Sequence, residues 1–324
     1  MPKSSASSFL WVPGQGPDPV ALDRMAKAFP KPKKPMGEAW FLAPERRMYP
    51  ELLGELQLSS DDTMLDALRD TAGPSCFGPR DEWTEWHHYL LPRLIQRAWT
   101  PPLLDDPVEL IISAFVAQHP DSGGEIPYPE FTNDVLLTLG RAIMSPHRWP
   151  HGVLHATQCL NKSPAWNGIF GWYDAEGLLS ASLFFCLKYL PEEKVDAWFK
   201  SVIAIPNPYW MAQIVVWLIG AHPILTGTIE QPSQFPEDGP YRIGWDWSHA
   251  LDGNYTGDFD PPIRRVPFLS EQSRNALLGV IDRTNFNEVI ENWQTDPELE
   301  GLRAETTGAP ERFVELYGDG VVAE

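Results

Sequence analysis

From Ser59 onward, apolar residues return every three or four positions, and this period, not the alternation of a strand, predicts the architecture. Trp83, Trp86, His87, Leu90, Leu91, Leu94, Ile95 and Ala98 trace one helical face over about four turns. Pro92 falls inside that run and is expected to kink or divide it. The next helix starts at Asp106-Pro107, with Glu109 three positions after the cap and Leu110, Ile111, Ala114 and Phe115 as its buried stripe. Phe131, Val135, Leu139 and Ile143 predict another helix, and a further segment is expected near Gly152 to Leu160. Leu178–Tyr189 and Pro191–Ile203 predict an adjacent pair, and Asn207-Pro208 caps a helix running to about Ala221.

Helix starts near 82, 107, 129, 151, 175, 191 and 208 fit an all-α protein of stacked antiparallel helical pairs, HEAT-like in rhythm, although no consensus sequence repeats. Four regions are expected. Residues 1–58 form a proline-rich arm with one short helix, capped by Asp18 and beginning at Pro19, and residues 59–225 form the main helical domain. Residues 226–268 hold six Pro and five Gly and read as a long irregular loop, with short strands around Tyr241 to Trp247. Residues 269–324 return to helix and pack on the main domain, with Phe286, Val289, Ile290 and Trp293 on one face and a last docked segment at Phe313, Leu316 and Tyr317.

Charge narrows the partners. With 25 Lys+Arg against 44 Asp+Glu the formal net charge is −19, which disfavours nucleic acid because phosphate neutralisation needs a basic surface. Eight of the basic residues and only four of the acidic ones lie in the first 50 positions, so the rest carries 17 basic against 40 acidic residues. Such a body can steer a basic partner over long range, and it also favours solubility. Cys76, Cys159 and Cys186 are too scattered for a disulfide framework, so a reducing, cytoplasmic setting is expected. The apolar stretches Leu178–Leu190 and Trp210–Ile219 are shorter than the ~20 residues that span a bilayer, so both are expected to be buried helices, with no membrane role.

Motifs for phosphate, dinucleotide, zinc-protease or serine-hydrolase chemistry are missing, so no cofactor is expected. Weaker arrangements remain. His147, His151, His155 and Cys159 recur every four residues; on a helix, His151, His155 and Cys159 would offer imidazole and thiolate ligands to zinc. Pro146 and Pro150 interrupt that helix, and an axial reach of roughly 12 Å strains a common ion. Asp252, Asn254, Thr256, Gly257, Asp258 and Asp260 match much of a calcium loop, but Ile263 stands where a bidentate glutamate belongs. Glu85 and His88 form one E-x-x-H pair, of which di-iron bundles need two. Among the 14 tryptophans, Trp245 and Trp247 flank Asp246 in the irregular loop. Exposed, they would make a hot spot for an Arg- or Lys-rich partner together with Asp252, Asp258 and Asp260; folded back, they would be core.

The run Phe77-Gly78-Pro-Arg-Asp81-Glu82-Trp83 leading to Tyr89-Leu90-Leu91-Pro92-Arg93-Leu94-Ile95 resembles a segment of uncharacterised bacterial helical proteins. Some of those resemble immunity or accessory products encoded beside polymorphic toxins. The resemblance covers some 20 residues, implies helical architecture and carries over no site residues. Together with the charge it gives the functional expectation: a protein-binding module, most concretely an immunity protein that neutralises a basic, cytosol-acting toxin. The alternative is an enzyme of an unrecognised helical family, metal-assisted through His151, His155 or the acidic loop.

Overall fold

Asp18 opens the first helix as the sequence predicts: its Oδ1 accepts from the backbone N–H of Val20 and of Ala21, each at 2.9 Å, and Pro19 fills the first helical position. The computed structural model describes residues 9–39, 46–72, 80–99, 107–121, 126–152, 160–162, 173–175, 177–236, 241–245, 248, 251, 267–284, 286–297, 300 and 308–318. Over these the protein is all-α. The helices are α1 (Pro19–Ala28), α2 (Asp61–Ala72), α3 (Arg80–Gln96), α4 (Pro107–Gln118), α5 (Phe131–Thr138), α6 (Gly177–Tyr189), α7 (Glu192–Ile203), α8 (Pro208–Leu225), α9 (Glu271–Arg283), α10 (Asn287–Thr295) and α11 (Ala309–Tyr317). Two short antiparallel pairs accompany them, β1 (Met36–Ala39) with β2 (Arg46–Met48) and β3 (Leu160–Lys162) with β4 (Tyr173–Ala175).

The chain forms two compact units, each assembled from separate stretches. One comprises Pro17–Ala142 and Asp246–Val266. In it α1 packs on α5 and α3, and α4 packs on α2 and α3. Because α4 is covered from both sides, burial spreads beyond the expected stripe to Ile112, Ser113 and Val116. Helix α3 continues through Pro92 without dividing, although a proline there supplies no N–H to the carbonyl of His88 one turn earlier. Arg97, just past α3, donates to Asp61 Oδ1 and to the carbonyl of Leu56, both at 3.0 Å, and to the carbonyl of Ser59 at 2.5 Å, fixing the approach to α2.

The other unit comprises Met1–Gly16, Ile143–Trp245 and Pro267–Glu324. Its centre is α6 and α8, whose residues are buried nearly all round. Asn207 caps α8 through a 2.9 Å bond from the Trp210 N–H, and Pro208 follows at the first position. At 18 residues and a mean hydropathy of 1.2, α8 is long and apolar enough to cross a membrane by length and composition, but 67% of that window is buried inside the protein. It packs against α9, α10, α11 and β4, while α7 lies on α9. The principal packings therefore join helices distant in sequence. Gly220 of α8 is required by close approach: a Cβ there would lie 2.5 Å from the Tyr241 carbonyl oxygen. The N-terminal segment is docked through Trp11, whose ring meets those of Trp198 and Trp210 edge-on at 5.6 and 6.0 Å and whose backbone N–H donates to Ser201 Oγ at 2.9 Å. At the other end, Phe313 packs on Phe286 with ring centroids 4.9 Å apart, and Tyr317 donates to the Leu218 carbonyl at 2.8 Å.

Candidate functional site

The residues that sequence patterning singles out do not assemble into one place. Trp245 is 2% exposed, stacked on Phe184 at 6.0 Å and edge-on to Phe268 at 6.0 Å. Of the two alternatives the sequence leaves open, Trp245 takes the core one, and its ring completes an aromatic cluster beside α6, so it does not serve as an exposed partner-binding anchor. Asp246, Trp247, Asp252, Asp258 and Asp260 lie outside the described residues. His151 is exposed and sits at φ 57° in a one-turn 3-10 segment, Pro150–Gly152, a left-handed conformation and not an α-helical one. His155 and Cys159 lie outside the described residues, and Leu160–Lys162 is a strand.

The described chemistry gathers instead in the unit built around α1, α3, α4 and α5. His88 comes from the middle of α3, and His119 from the residue after α4. Their Nε2 atoms face each other at 2.9 Å, with ring centroids 5.1 Å apart and planes inclined by 21°. Such a contact requires one ring to present Nε2–H and the other a bare lone pair. Phe29, the residue that ends α1, stacks on His88 at 4.6 Å. Phe131, the first residue of α5, meets His119 at 5.2 Å and His88 at 5.8 Å, and Phe115 covers His119 at 4.8 Å. Both imidazoles are half-buried with their orientation set by an aromatic wall. His87, one residue from His88, is 2% exposed; its ring lies 5.9 Å from that of His88 and 6.2 Å from that of His119. Its Nε2 has no hydrogen-bond partner among the described residues.

Burial disfavours the charged form of each ring. It lowers His88 to about 4, with a further contribution from neighbouring His119, and lowers His119 to about 4. His87 falls well below the ordinary histidine range, by burial first and then by its two histidine neighbours. All three are neutral at neutral pH, and so able to act as lone-pair donors.

A second polar group adjoins this wall. Asp134, one turn along α5 from Phe131, is fully buried and accepts two bonds from Arg24 of α1, Nε to Oδ2 at 2.7 Å and Nη2 to Oδ1 at 2.6 Å. Tyr128 donates to the same carboxylate at 2.9 Å, while its ring packs on Phe29 and Phe131. Burial, and then the bond to Asp134, raises the Tyr128 phenol above its usual range; the bond to Asp134, followed by its charge, raises Arg24. The fork of Arg24 compensates a buried charge and sets the α1–α5 packing that presents Phe29 and Phe131 to the histidines.

The sequence signal for this site was partial. The E-x-x-H spacing brings out His88, but Glu85 is exposed, and the second imidazole comes from His119, 31 residues away on another element. Among the described residues no three His, Cys, Asp or Glu side chains surround a common point. Comparison with known protein families, with curated proteins and with solved structures returns no match.

Proposed function

We propose that the protein is a binding module for a basic protein partner, most concretely an immunity protein that neutralises a bacterial toxin in the cytoplasm. The single observation that carries this reading is the charge: −19 overall, with 17 basic against 40 acidic residues after the first 50 positions. The described helices support it by turning carboxylates to solvent: Asp62 and Asp66 on α2, Glu192 and Glu193 on α7, Glu288 and Glu291 on α10, and Glu311 and Glu315 on α11 are all exposed. Such a surface accelerates encounter with a cation-rich protein and loses its hold as salt rises. With Trp245 in the core, the reading rests on carboxylates and not on an aromatic anchor at that position.

The test is co-purification from native extract at low and high salt, followed by reconstitution of the retained protein with the Glu192→Lys/Glu193→Lys and Glu288→Lys/Glu291→Lys variants. A basic protein that is held at low salt, is released at high salt, is toxic alone and is relieved by co-expression supports the reading. No salt-sensitive partner, or a partner indifferent to both charge reversals, removes it. A second reading, a metal-assisted enzyme of a helical family, is favoured by one specific observation, the facing Nε2 atoms of His88 and His119.

A further inference from the structure

We propose that His88 and His119 form a binding site for a single first-row divalent transition-metal ion, Zn2+ or Cu2+, held through their two Nε2 atoms with solvent completing the coordination.

Geometry carries the proposal. Two imidazoles bound to one tetrahedral ion at Zn–N of about 2.0–2.1 Å place their nitrogens roughly 3.3 Å apart. The observed 2.9 Å therefore needs to open by only about 0.4 Å. The two ring centroids are 5.1 Å apart, close to the ~5 Å that the same bond lengths and angle imply. The rings are not free to turn away, because Phe29, Phe115 and Phe131 press on them. They are also not sealed off, since both histidines retain partial exposure. His87, buried with its ring about 6 Å from both members of the pair, stands beside the site without joining it, because among the described residues no three ligating side chains surround a common point.

Proton bookkeeping is simple. The ring that now donates Nε2–H moves that proton to Nδ1, freeing its lone pair, and the partner already offers one. No net proton is released when neutral rings bind. At such a site Cu2+ binds more tightly than Zn2+.

Chelator-treated full-length protein is titrated with ZnCl2 and separately with CuCl2 by calorimetry, and the copper form is read by electron paramagnetic resonance for nitrogen ligation. The expected result is one ion per chain, two imidazole nitrogens in the copper spectrum, and at least tenfold weaker binding in His88→Gln and in His119→Gln. The exposed His151→Gln serves as the control and retains full binding. Near-ultraviolet circular dichroism confirms that the variants are folded; if Gln at either position disrupts folding, the copper spectrum of the unaltered protein decides. Absence of saturable binding, a copper spectrum without imidazole nitrogen, or binding undiminished in folded His88→Gln and His119→Gln overturns the site. The measurement uses no protein partner, so its failure leaves the acidic-surface reading untouched, and failure of that reading leaves the metal site untouched.

Discussion

Phe131 and Asp134 stand one turn apart on α5, and they tie two different kinds of interaction to one helix: Phe131 touches the rings of His88 and His119, while Asp134 anchors the Arg24 fork. Any change that releases the carboxylate therefore loosens the wall that orients the imidazoles.

Arg24→Met is expected to destabilise the protein by about 3 kcal/mol, because it leaves a fully buried carboxylate with Tyr128 as its remaining described donor. Tyr128→Phe removes one hydrogen bond and should cost about 1 kcal/mol. Equilibrium urea unfolding of both variants checks the order; equal costs would show that the ion pair contributes no more than the phenol.

Stability measured without added metal ions should fall on mild acidification. The folded-state values of His88 and His119 are lowered to about 4 from 6.5, so the unfolded chain binds more protons between those limits. The contribution is fully present above pH 6.5 and is lost as pH drops towards 4. Urea midpoints measured from pH 7.5 to 5 should decline, and the decline should be shallower in His88→Gln/His119→Gln. Identical slopes in the variant and the parent protein would assign the effect to other groups.

Trp11→Ala is expected to cost about 3–5 kcal/mol, the range for deleting a buried aromatic ring. The indole is 2% exposed and meets both Trp198 and Trp210. Tryptophan fluorescence during thermal unfolding reports the loss; a change under 1 kcal/mol would mean that the N-terminal segment adds little to its unit.

Gly220→Ala should destabilise by about 1–3 kcal/mol through overpacking, even though alanine is the better helix former. Its Cβ would crowd the Tyr241 carbonyl at 2.5 Å and Ile243 Cδ1 at 3.1 Å. A raised thermal midpoint would show that the Tyr241–Ile243 segment yields readily.

Local rules were legible in the sequence and remote ones were not. Asp18-Pro19 and Asn207-Pro208 mark helix starts because a cap and its acceptor lie within three residues. At the start expected near 151 the described residues form one 3-10 turn with His151 left-handed, and residues 153–159 of the expected segment lie outside the described residues. Pro92 is expected to kink or divide α3; the helix is not divided, and its neighbours Leu90, Leu91 and Leu94 are buried. Whether Trp245 is core or surface depends on Phe184 and Phe268, neither of which is a sequence neighbour. The His88–His119 meeting has the same character: a spacing motif finds one member, while the other arrives through the packing of α3 on α4.

The discontinuity of the unit built on α6 and α8 has a consequence for synthesis on the ribosome. Helix α8 ends at Leu225, but α11, which covers part of it, ends at Tyr317, about 90 residues later. At 5–20 residues per second, roughly 5–20 s pass between the emergence of that apolar helix and the arrival of its last partner. For that interval the face of α8 that α11 covers stays bare on the nascent chain, while β4 and Trp11, already made, can cover other parts of it; the bare face makes the chain a client for holding chaperones and makes late truncation a route to aggregation.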